Sequence, residues 1–219
     1  MPKVGVVLSG CGVNDGSEIH EAVITMLELD KANADMVLMA PNIDQLHVIN
    51  HATGDEMSDS RNVLVESARI ARGNIKDIAE IKSGDLDALI FPGGFGVAKN
   101  LCDYAMTGAD CSVNPDVNRL IVDMYKAEKP IGVICISPAM MGRVMEKLEK
   151  KVDLTIGNDE QTANDLNIMG ANHVNCEVQD IVIDKENKIV STPAYMLAGR
   201  ISEAADGIEK LVKEVLSLI

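Results

Sequence analysis

The sequence has very few aromatic side chains and no excess of positive charge. Aromatic residues make up 2% of the chain, and tryptophan is absent. Proteins that bind single-stranded nucleic acids stack the bases on aromatic rings, so this scarcity argues against such a platform. The 34 acidic residues outnumber the 20 basic ones and give a net charge of -14. Because phosphate backbones and anionic membranes attract basic surfaces, we expect neither nucleic acid nor a membrane as a partner.

Long apolar runs, paired cysteine motifs and cofactor motifs are also missing. No stretch approaches the roughly 20 apolar residues that a spanning helix needs, and the N-terminus leads into a predicted strand instead of a signal peptide. The five cysteines include no CxxC pair, which argues against a disulfide framework or a structural zinc site. The glycines around Cys11 do not complete a dinucleotide-binding GxGxxG motif. We therefore expect a cytoplasmic protein with free thiols that needs neither a metal nor a cofactor.

Short apolar runs alternate with segments of helical spacing along most of the chain. This alternation predicts an α/β fold with a mostly parallel, doubly wound sheet. The 219 residues suffice for one large domain, and we predict a single domain over residues 1–219. We predict strands at 4–8, 36–40, 86–91, 131–134 and 154–156, a hairpin at 181–190, and helices at 18–31, 115–126, 137–150, 162–169 and 201–219. Residues 46–71 fit a hairpin followed by either a short helix or a strand.

The first predicted helix carries apolar residues at helical spacing. We expect its buried face to include Ile19, Ala22, Val23, Met26 and Leu27.

Cys135 lies where a buried strand is predicted to end and a helix to begin. The apolar run before it is typical of a core strand, and Ser137 and Pro138 suit an N-cap and a first helical residue. A thiol at such a turn faces the positive end of the helix dipole, which can lower its pKa from about 8.5. The hypothesis is a nucleophile, and the alternative is a small buried side chain.

Two further loops are predicted to reach the same edge of the sheet as Cys135. In open parallel sheets, sites form beyond the carboxyl ends of the strands, and the loops 9–18 and 92–96 both follow predicted strands. Backbone N–H groups of Gly93 and Gly94, together with that of Ile136, could form an oxyanion hole for an adduct on the sulfur. The alternative for the glycines is a tight turn that requires positive φ.

Glu18 and His173 are the candidates for proton transfer. Glu18 opens the first helix and could hydrogen-bond Cys135, although a first-turn glutamate often only stabilises its helix. None of the four histidines adjoins Cys135 in sequence, and His173 could approach it from the other side or remain a loop residue.

Four segments together resemble the ThiJ/PfpI superfamily, which has class I amidotransferase-like topology. They are Leu8-Ser-Gly-Cys-Gly12 with Asp15-Gly-Ser-Glu-Ile-His20, Phe91-Pro-Gly-Gly-Phe-Gly96, the turn around Cys135, and Thr192-Pro-Ala-Tyr-Met-Leu197. Within the superfamily the chain is most similar to the ElbB proteins, described as isoprenoid-biosynthesis-associated and glyoxalase-like. The resemblance extends over essentially the whole length.

The resemblance implies a flavodoxin-like three-layer sandwich, a homodimer and a reactive cysteine paired with a glutamate, for which Glu18 is the matching position. It also implies a cofactor-independent glyoxalase that converts small 2-oxoaldehydes to hydroxy acids through a Cys135 hemithioacetal. His173 falls where some relatives place a histidine. The alternatives are an amidase or glutamine amidotransferase-like hydrolase, which Ile136 after the cysteine weakens, and a cysteine redox sensor or partner-binding protein linked to isoprenoid metabolism.

Overall fold

The computed structural model describes residues 1–219 and contains nine strands and seven α-helices. The strands are β1 (Lys3–Val7), β2 (Asp35–Ala40), β3 (Lys76–Asp77), β4 (Ala88–Phe91), β5 (Ile131–Ile134), β6 (Asp153–Leu154), β7 (Asn172–His173), β8 (Val182–Asp184) and β9 (Ile189–Thr192). The helices are α1 (Ile19–Lys31), α2 (Val63–Ile70), α3 (Tyr104–Thr107), α4 (Pro115–Lys126), α5 (Ser137–Lys147), α6 (Glu160–Ile168) and α7 (Ile201–Ser217). None of these helices combines the length and hydropathy needed to cross a bilayer.

Seven strands form one sheet in the order β3-β2-β1-β4-β5-β9-β8, and β6 pairs with β7 in a small separate sheet. All neighbours in the large sheet are parallel except β8, which runs antiparallel to β9. The chain moves from β1 to β2 on one side and returns to β4 on the other, so the sheet is doubly wound. This topology confirms the predicted flavodoxin-like fold, including the hairpin of β8 and β9.

Side chains alternate along the central strands between two separate cores. Val7 and Phe91 lie in one core with the apolar faces of α4 and α5, whereas Val6 and Ile90 lie in the other with α1 and α7. Because successive strand residues point to opposite faces, helices cover the sheet on both sides and make three layers. The arrangement leaves the carboxyl ends of β1, β4 and β5 free to carry loops at one edge.

The buried face of α1 is not the one predicted from its apolar spacing. Ala22 is buried as expected, but Ile19, Val23 and Leu27 are 41%, 48% and 47% exposed. The buried side instead includes Glu21. The prediction was wrong because it followed the apolar residues alone, while the helix turns a stripe of them towards solvent.

Short strands and irregular segments account for the other differences between the predicted and the observed secondary structure. The two-residue strands β3 and β7 show no periodic signal in the sequence, and β6 is shorter than the predicted strand at 154–156. Within residues 46–71, a single bridge joins Ile49 to Glu56, and the ambiguous segment after it is the helix α2. Ser137 does not cap α5, because its hydroxyl donates a hydrogen bond to the carbonyl oxygen of Pro92.

Candidate active site

Cys135 occupies a sharp turn between β5 and α5. Its φ is 62°, which places a residue with a side chain in the left-handed region, and its backbone N–H donates to the carbonyl oxygen of Thr192 at 2.9 Å. Such backbone conformations cost on the order of 1–3 kcal/mol and persist only where the surroundings impose them. The turn holds the side chain, which is 7% exposed, at the carboxyl edge of the sheet.

The carboxyl group that faces Cys135 belongs to Glu21, on the buried side of α1. The side chains of Glu21 and Cys135 both lie against Gly93, and each of the two groups shifts the pKa of the other. Its Oε2 accepts a hydrogen bond from the N–H of Gly93 at 2.8 Å, and its Oε1 accepts one from the N–H of Tyr195 at 3.2 Å. These contacts from two loops fix both oxygens of a carboxyl group that has no solvent exposure.

Gly93 allows the close approach of Cys135 and Glu21. A Cβ atom at this position would lie 2.5 Å from the Cβ of Cys135 and 2.7 Å from Oε2 of Glu21. Real Cβ atoms do not approach other heavy atoms so closely, so any side chain here would displace the pair. The glycine is therefore a geometric requirement of the site.

Two backbone N–H groups lie close enough to the Cys135 thiol to lower its pKa. They belong to Gly94, which has a φ of +99°, and to Ile136, which follows the cysteine at the start of α5. Two donors at this position can also stabilise negative charge on an oxygen bonded to the carbon that the sulfur attacks. The N–H of Gly93, the third predicted donor, is instead engaged by Glu21.

Glu21 and Cys135 share a buried environment that raises the pKa of both groups. Burial raises the pKa of Glu21 to about 7, and the charge of Glu18 adds to the rise. Burial also raises the pKa of Cys135 well above its ordinary value, and the ionised Glu21 raises it further. The expected lowering at the helix N-terminus is therefore wrong, because desolvation and the carboxylate outweigh the two N–H groups. A carboxyl group that titrates near neutrality beside a thiol is suited to give and take a proton.

Backbone hydrogen bonds join the loop 9–18 to the loop 92–96. The N–H groups of Phe95 and Gly96 donate to the carbonyl oxygens of Val13 and Gly16 at 2.8 and 2.9 Å. Asn100 supports this contact, because its side-chain amide donates to the carbonyl oxygens of Ser9 and Asp15. The structure thus brings together the three loops that the sequence placed at one edge.

A cavity of about 680 Å³ opens beside Cys135. Its wall is mostly apolar, and its charged side chains are the carboxylates of Glu18, Asp159 and Asp165. No lysine, arginine or histidine lines it. The lining residues are Val13, Glu18, Gly94, Phe95, Ala98, Tyr104, Ala105, Met106, Gly108, Cys135, Ile136, Asp159, Gln161, Thr162, Asp165, Tyr195 and Met196.

Glu18 and His173, the two predicted proton-transfer residues, occupy different surroundings. Glu18 lines the cavity and caps α1, because its Oε2 accepts a hydrogen bond from the N–H of Glu21 at 2.7 Å. His173 lies in β7, where its Nε2 accepts a hydrogen bond from the N–H of Ile156, and it does not line the cavity. The structure therefore places Glu18 near Cys135 without making it the direct partner, and it does not bring His173 into the site.

Sequence reasoning missed Glu21, Tyr195 and His20. Tyr195 lines the cavity, and its hydroxyl forms a 2.8 Å hydrogen bond with Nδ1 of His20. A glutamate next to Ala22 on a helix that packs on the core was the available signal for Glu21. That signal was hidden because the opposite face of α1 was taken as the buried one.

The arrangement can form and resolve a covalent adduct on sulfur. Cys135 supplies the nucleophile, and the N–H groups of Gly94 and Ile136 can stabilise an oxyanion. Glu21 can move a proton between atoms of the bound molecule.

Comparisons with known proteins agree on one group of relatives, although no family model matches the chain. A human protein, glutamine amidotransferase-like class 1 domain-containing protein 3, mitochondrial, is 42% identical over 226 residues, which cover 99% of this chain and 83% of the human one. The crystal structure of an isoprenoid biosynthesis protein with amidotransferase-like domain from Ehrlichia chaffeensis is 38% identical, with a TM-score of 0.93 over 100% of this chain and 99% of that one. Glyoxalase III from Candida albicans, at 16% identity and a TM-score of 0.62 over 100% of this chain and 97% of its own, shares the fold.

The same relatives correct the expected location. The human protein and the ES1 proteins of rat and zebrafish are described as mitochondrial, which contradicts a cytoplasmic location. The expectation was wrong because composition and net charge bear on solubility and binding, and do not identify a compartment.

Proposed function

Because this chain belongs to the ThiJ/PfpI superfamily of class I amidotransferase-like proteins, we propose that it is a cofactor-independent glyoxalase-like enzyme. Its substrates are small 2-oxoaldehydes such as glyoxal and methylglyoxal, and its products are the corresponding hydroxy acids. The observation that carries the proposal is the contact between Cys135 and Glu21, whose pKa burial raises to about 7. A carboxyl group that titrates at neutral pH can both remove and return a proton, as this isomerisation requires.

The reaction begins with addition of the Cys135 sulfur to the aldehyde carbon. Ionisation of the thiol, whose proton leaves for solvent, supplies the thiolate and keeps Glu21 ionised for the next step. The carbonyl electron pair moves to the aldehyde oxygen, which the N–H groups of Gly94 and Ile136 stabilise. The product of this step is a hemithioacetal anion.

Glu21 in its ionised form then removes the hydrogen of the former aldehyde carbon and returns it to the neighbouring carbon. The electron pair released from the C–H bond passes through an enediolate, and collapse of the first oxyanion re-forms a carbonyl as a thioester. Water cleaves the thioester to the hydroxy acid and regenerates the Cys135 thiol. No electrons are gained or lost overall, which agrees with a mechanism without a redox cofactor.

The amidase alternative lacks a comparable observation. Hydrolases of that kind use a base to activate the cysteine and an acid to protonate the departing amine. No histidine lines the cavity, and Ile136 follows the cysteine. We therefore retain glutamine hydrolysis only as one arm of the test.

The test compares wild type with Cys135→Ala and Glu21→Gln, using methylglyoxal, glyoxal and glutamine separately. Lactate, glycolate and ammonia are measured. Cys176→Ala is the matched control, because this half-buried thiol does not line the cavity. We expect lactate and glycolate from wild type and from the control, and none from the other two variants.

Two other results would favour a different function for the protein. Ammonia from glutamine that depends on Cys135 would favour the hydrolase. Absence of any Cys135-dependent product, together with oxidation of Cys135 to a sulfinic acid at low peroxide, would favour a redox sensor.

We also propose that the protein is a homodimer. The exposed stripe of Ile19, Val23 and Leu27 on α1 is an unusual surface for a monomer, and contiguous apolar patches commonly mark interfaces. Sedimentation velocity should give a dimer for wild type and a monomer for Val23→Glu. Val65→Glu, at a 61% exposed position on α2, is the control and should remain dimeric. A monomeric wild type at micromolar concentration would overturn the proposal.

A further inference from the structure

Tyr195 and His20 form a hydrogen-bonded pair that connects the cavity to solvent. The hydroxyl of Tyr195 lies 2.8 Å from Nδ1 of His20, and the rings are 5.8 Å apart between centroids. Tyr195 lines the cavity, whereas the side chain of His20 is 53% exposed. One member of the pair can therefore contact a bound substrate while the other exchanges protons with water.

The backbone of Tyr195 fixes this pair relative to the reacting groups. Its N–H donates to Oε1 of Glu21 at 3.2 Å, so Tyr195 is tied to the same carboxyl group that faces Cys135. The preceding Ala194 has a φ of 43°, a turn that the surroundings must impose. The side chain of Tyr195 consequently enters the cavity from a position set by the catalytic carboxyl group.

We propose that Tyr195 is the general acid for the second oxygen of the 2-oxoaldehyde and that His20 then reprotonates the Tyr195 oxygen. This inference rests on the proposed function. The N–H groups of Gly94 and Ile136 serve only the oxygen on the carbon attacked by sulfur. When Glu21 removes the hydrogen from that carbon, negative charge develops on the neighbouring ketone oxygen. No other group assigned so far supplies a proton there.

The proton balance of the step is complete. As the electron pair from the C–H bond reaches the ketone oxygen, the Tyr195 hydroxyl donates its proton to that oxygen. The Nδ1–H of a protonated His20 donates its proton to the Tyr195 oxygen, which is thereby restored to a neutral hydroxyl. Water reprotonates the exposed imidazole, and thioester hydrolysis later releases one proton.

The charges around the pair favour this direction of transfer. Burial and the carboxylates of Glu18 and Glu21 raise the pKa of the Tyr195 hydroxyl, so it keeps its proton at neutral pH. The nearest charged group to His20 is Glu18, whose Oε1 lies 3.9 Å from Nδ1. Histidine changes charge within the physiological range, which makes it the natural source of a replaceable proton.

The experiment measures turnover of methylglyoxal against pH for wild type, Tyr195→Phe and His20→Gln. Tyr125→Phe and His47→Gln are matched controls, because Tyr125 bonds Asn187 and neither residue lines the cavity. We expect Tyr195→Phe to lower kcat by about a hundredfold, which is typical for loss of a general acid. His20→Gln, which keeps a hydrogen-bonding side chain but cannot supply a proton, should lower kcat and leave intact the rise of kcat with pH that ionisation of Glu21 causes.

A second measurement separates proton transfer from a structural role. The rate at which iodoacetamide alkylates Cys135, followed by mass spectrometry, should be unchanged in Tyr195→Phe and His20→Gln. Wild-type kcat in Tyr195→Phe would overturn the relay alone, and so would equal losses of kcat and alkylation rate in that variant. Absence of Cys135-dependent product from wild type would overturn the proposed function and the relay with it.

Discussion

At the scale of single residues, the raised pKa of Glu21 makes stability depend on pH. Its pKa is about 7 in the folded chain and 4.5 when unperturbed, so the folded state holds one more proton than the unfolded state between these values. The stabilisation is complete below pH 4.5 and is lost as the pH rises through 7. The loss amounts to about 1.4 kcal/mol per pH unit and on the order of 3 kcal/mol in total.

Glu21→Gln removes this titration. The free energy of unfolding of wild type minus that of the variant should fall as the pH is raised from 5 to 8, as measured by urea unfolding. Glu186→Gln, at an exposed site in the turn between β8 and β9, should show a constant difference. A pH-independent difference for Glu21→Gln would contradict the raised pKa.

The same substitution should separate the reactivity of the thiol from catalysis. The ionised Glu21 raises the pKa of Cys135, so removal of its charge should lower that pKa and increase the thiolate fraction. We expect alkylation of Cys135 by iodoacetamide at pH 7 to become about tenfold faster for each unit by which the pKa falls. Turnover should nevertheless be lost, because glutamine cannot transfer the proton. Slower alkylation would mean that Glu21 activates the thiol in the resting protein.

The residue scale is also where prediction from sequence was weakest. The position of Cys135 at a strand-to-helix turn was readable, because a short apolar run, a serine and a proline mark both elements. The choice between Glu18 and Glu21 depended on which side of α1 is buried. Apolar spacing could not decide this, since Ile19, Val23 and Leu27 form a stripe that faces solvent.

At the scale of elements, the turn after β4 determines whether the site can assemble. Gly93→Ala would place a methyl group 2.5 Å from the Cβ of Cys135 and 2.7 Å from Oε2 of Glu21. We expect activity to fall by at least about a hundredfold, since a displacement of about 1 Å is enough for such a loss. Thermal unfolding should show a destabilisation of about 1–3 kcal/mol from overpacking.

Gly84→Ala is the matched control for this substitution. Gly84 is exposed, has no positive φ, and has no atom within 4 Å of the position that a Cβ would occupy. We expect full activity and a change in stability within about 0.5 kcal/mol. Wild-type turnover in Gly93→Ala would show that the contact between Cys135 and Glu21 is not needed.

Elements with a long periodic pattern were predictable, and very short ones were not. The helix α4 was predicted with its observed bounds, because Asn114 and Pro115 mark its start and four apolar residues define its buried face. The strands β3 and β7 contain two residues each, which is too few to show a period. Their pairing depends on neighbours that are distant in sequence.

At the scale of the whole molecule, negative charge extends from the surface into the candidate site. The chain carries a net charge of -14, and the cavity adds the carboxylates of Glu18, Asp159 and Asp165 without a lining cation. The Cys135 and Glu21 pair contributes a further negative charge once Glu21 ionises. Within walls of low dielectric, such charges repel anions over several ångströms.

If the proposed activity is correct, the charge of a substrate should therefore determine how efficiently it reacts. Among 2-oxoaldehydes of similar size, we expect kcat/KM at low salt to be at least about tenfold lower for one with a carboxylate than for a neutral one, whereas a trimethylammonium group should be tolerated. Added salt should reduce the difference in kcat/KM between the anionic and the neutral substrate, because it screens the partly exposed carboxylates. Asp159→Asn combined with Asp165→Asn should improve kcat/KM for the anionic substrate, and Asp206→Asn, outside the cavity, should not. Equal kcat/KM for anionic and neutral substrates at low salt would show that the reacting molecule does not enter through this cavity.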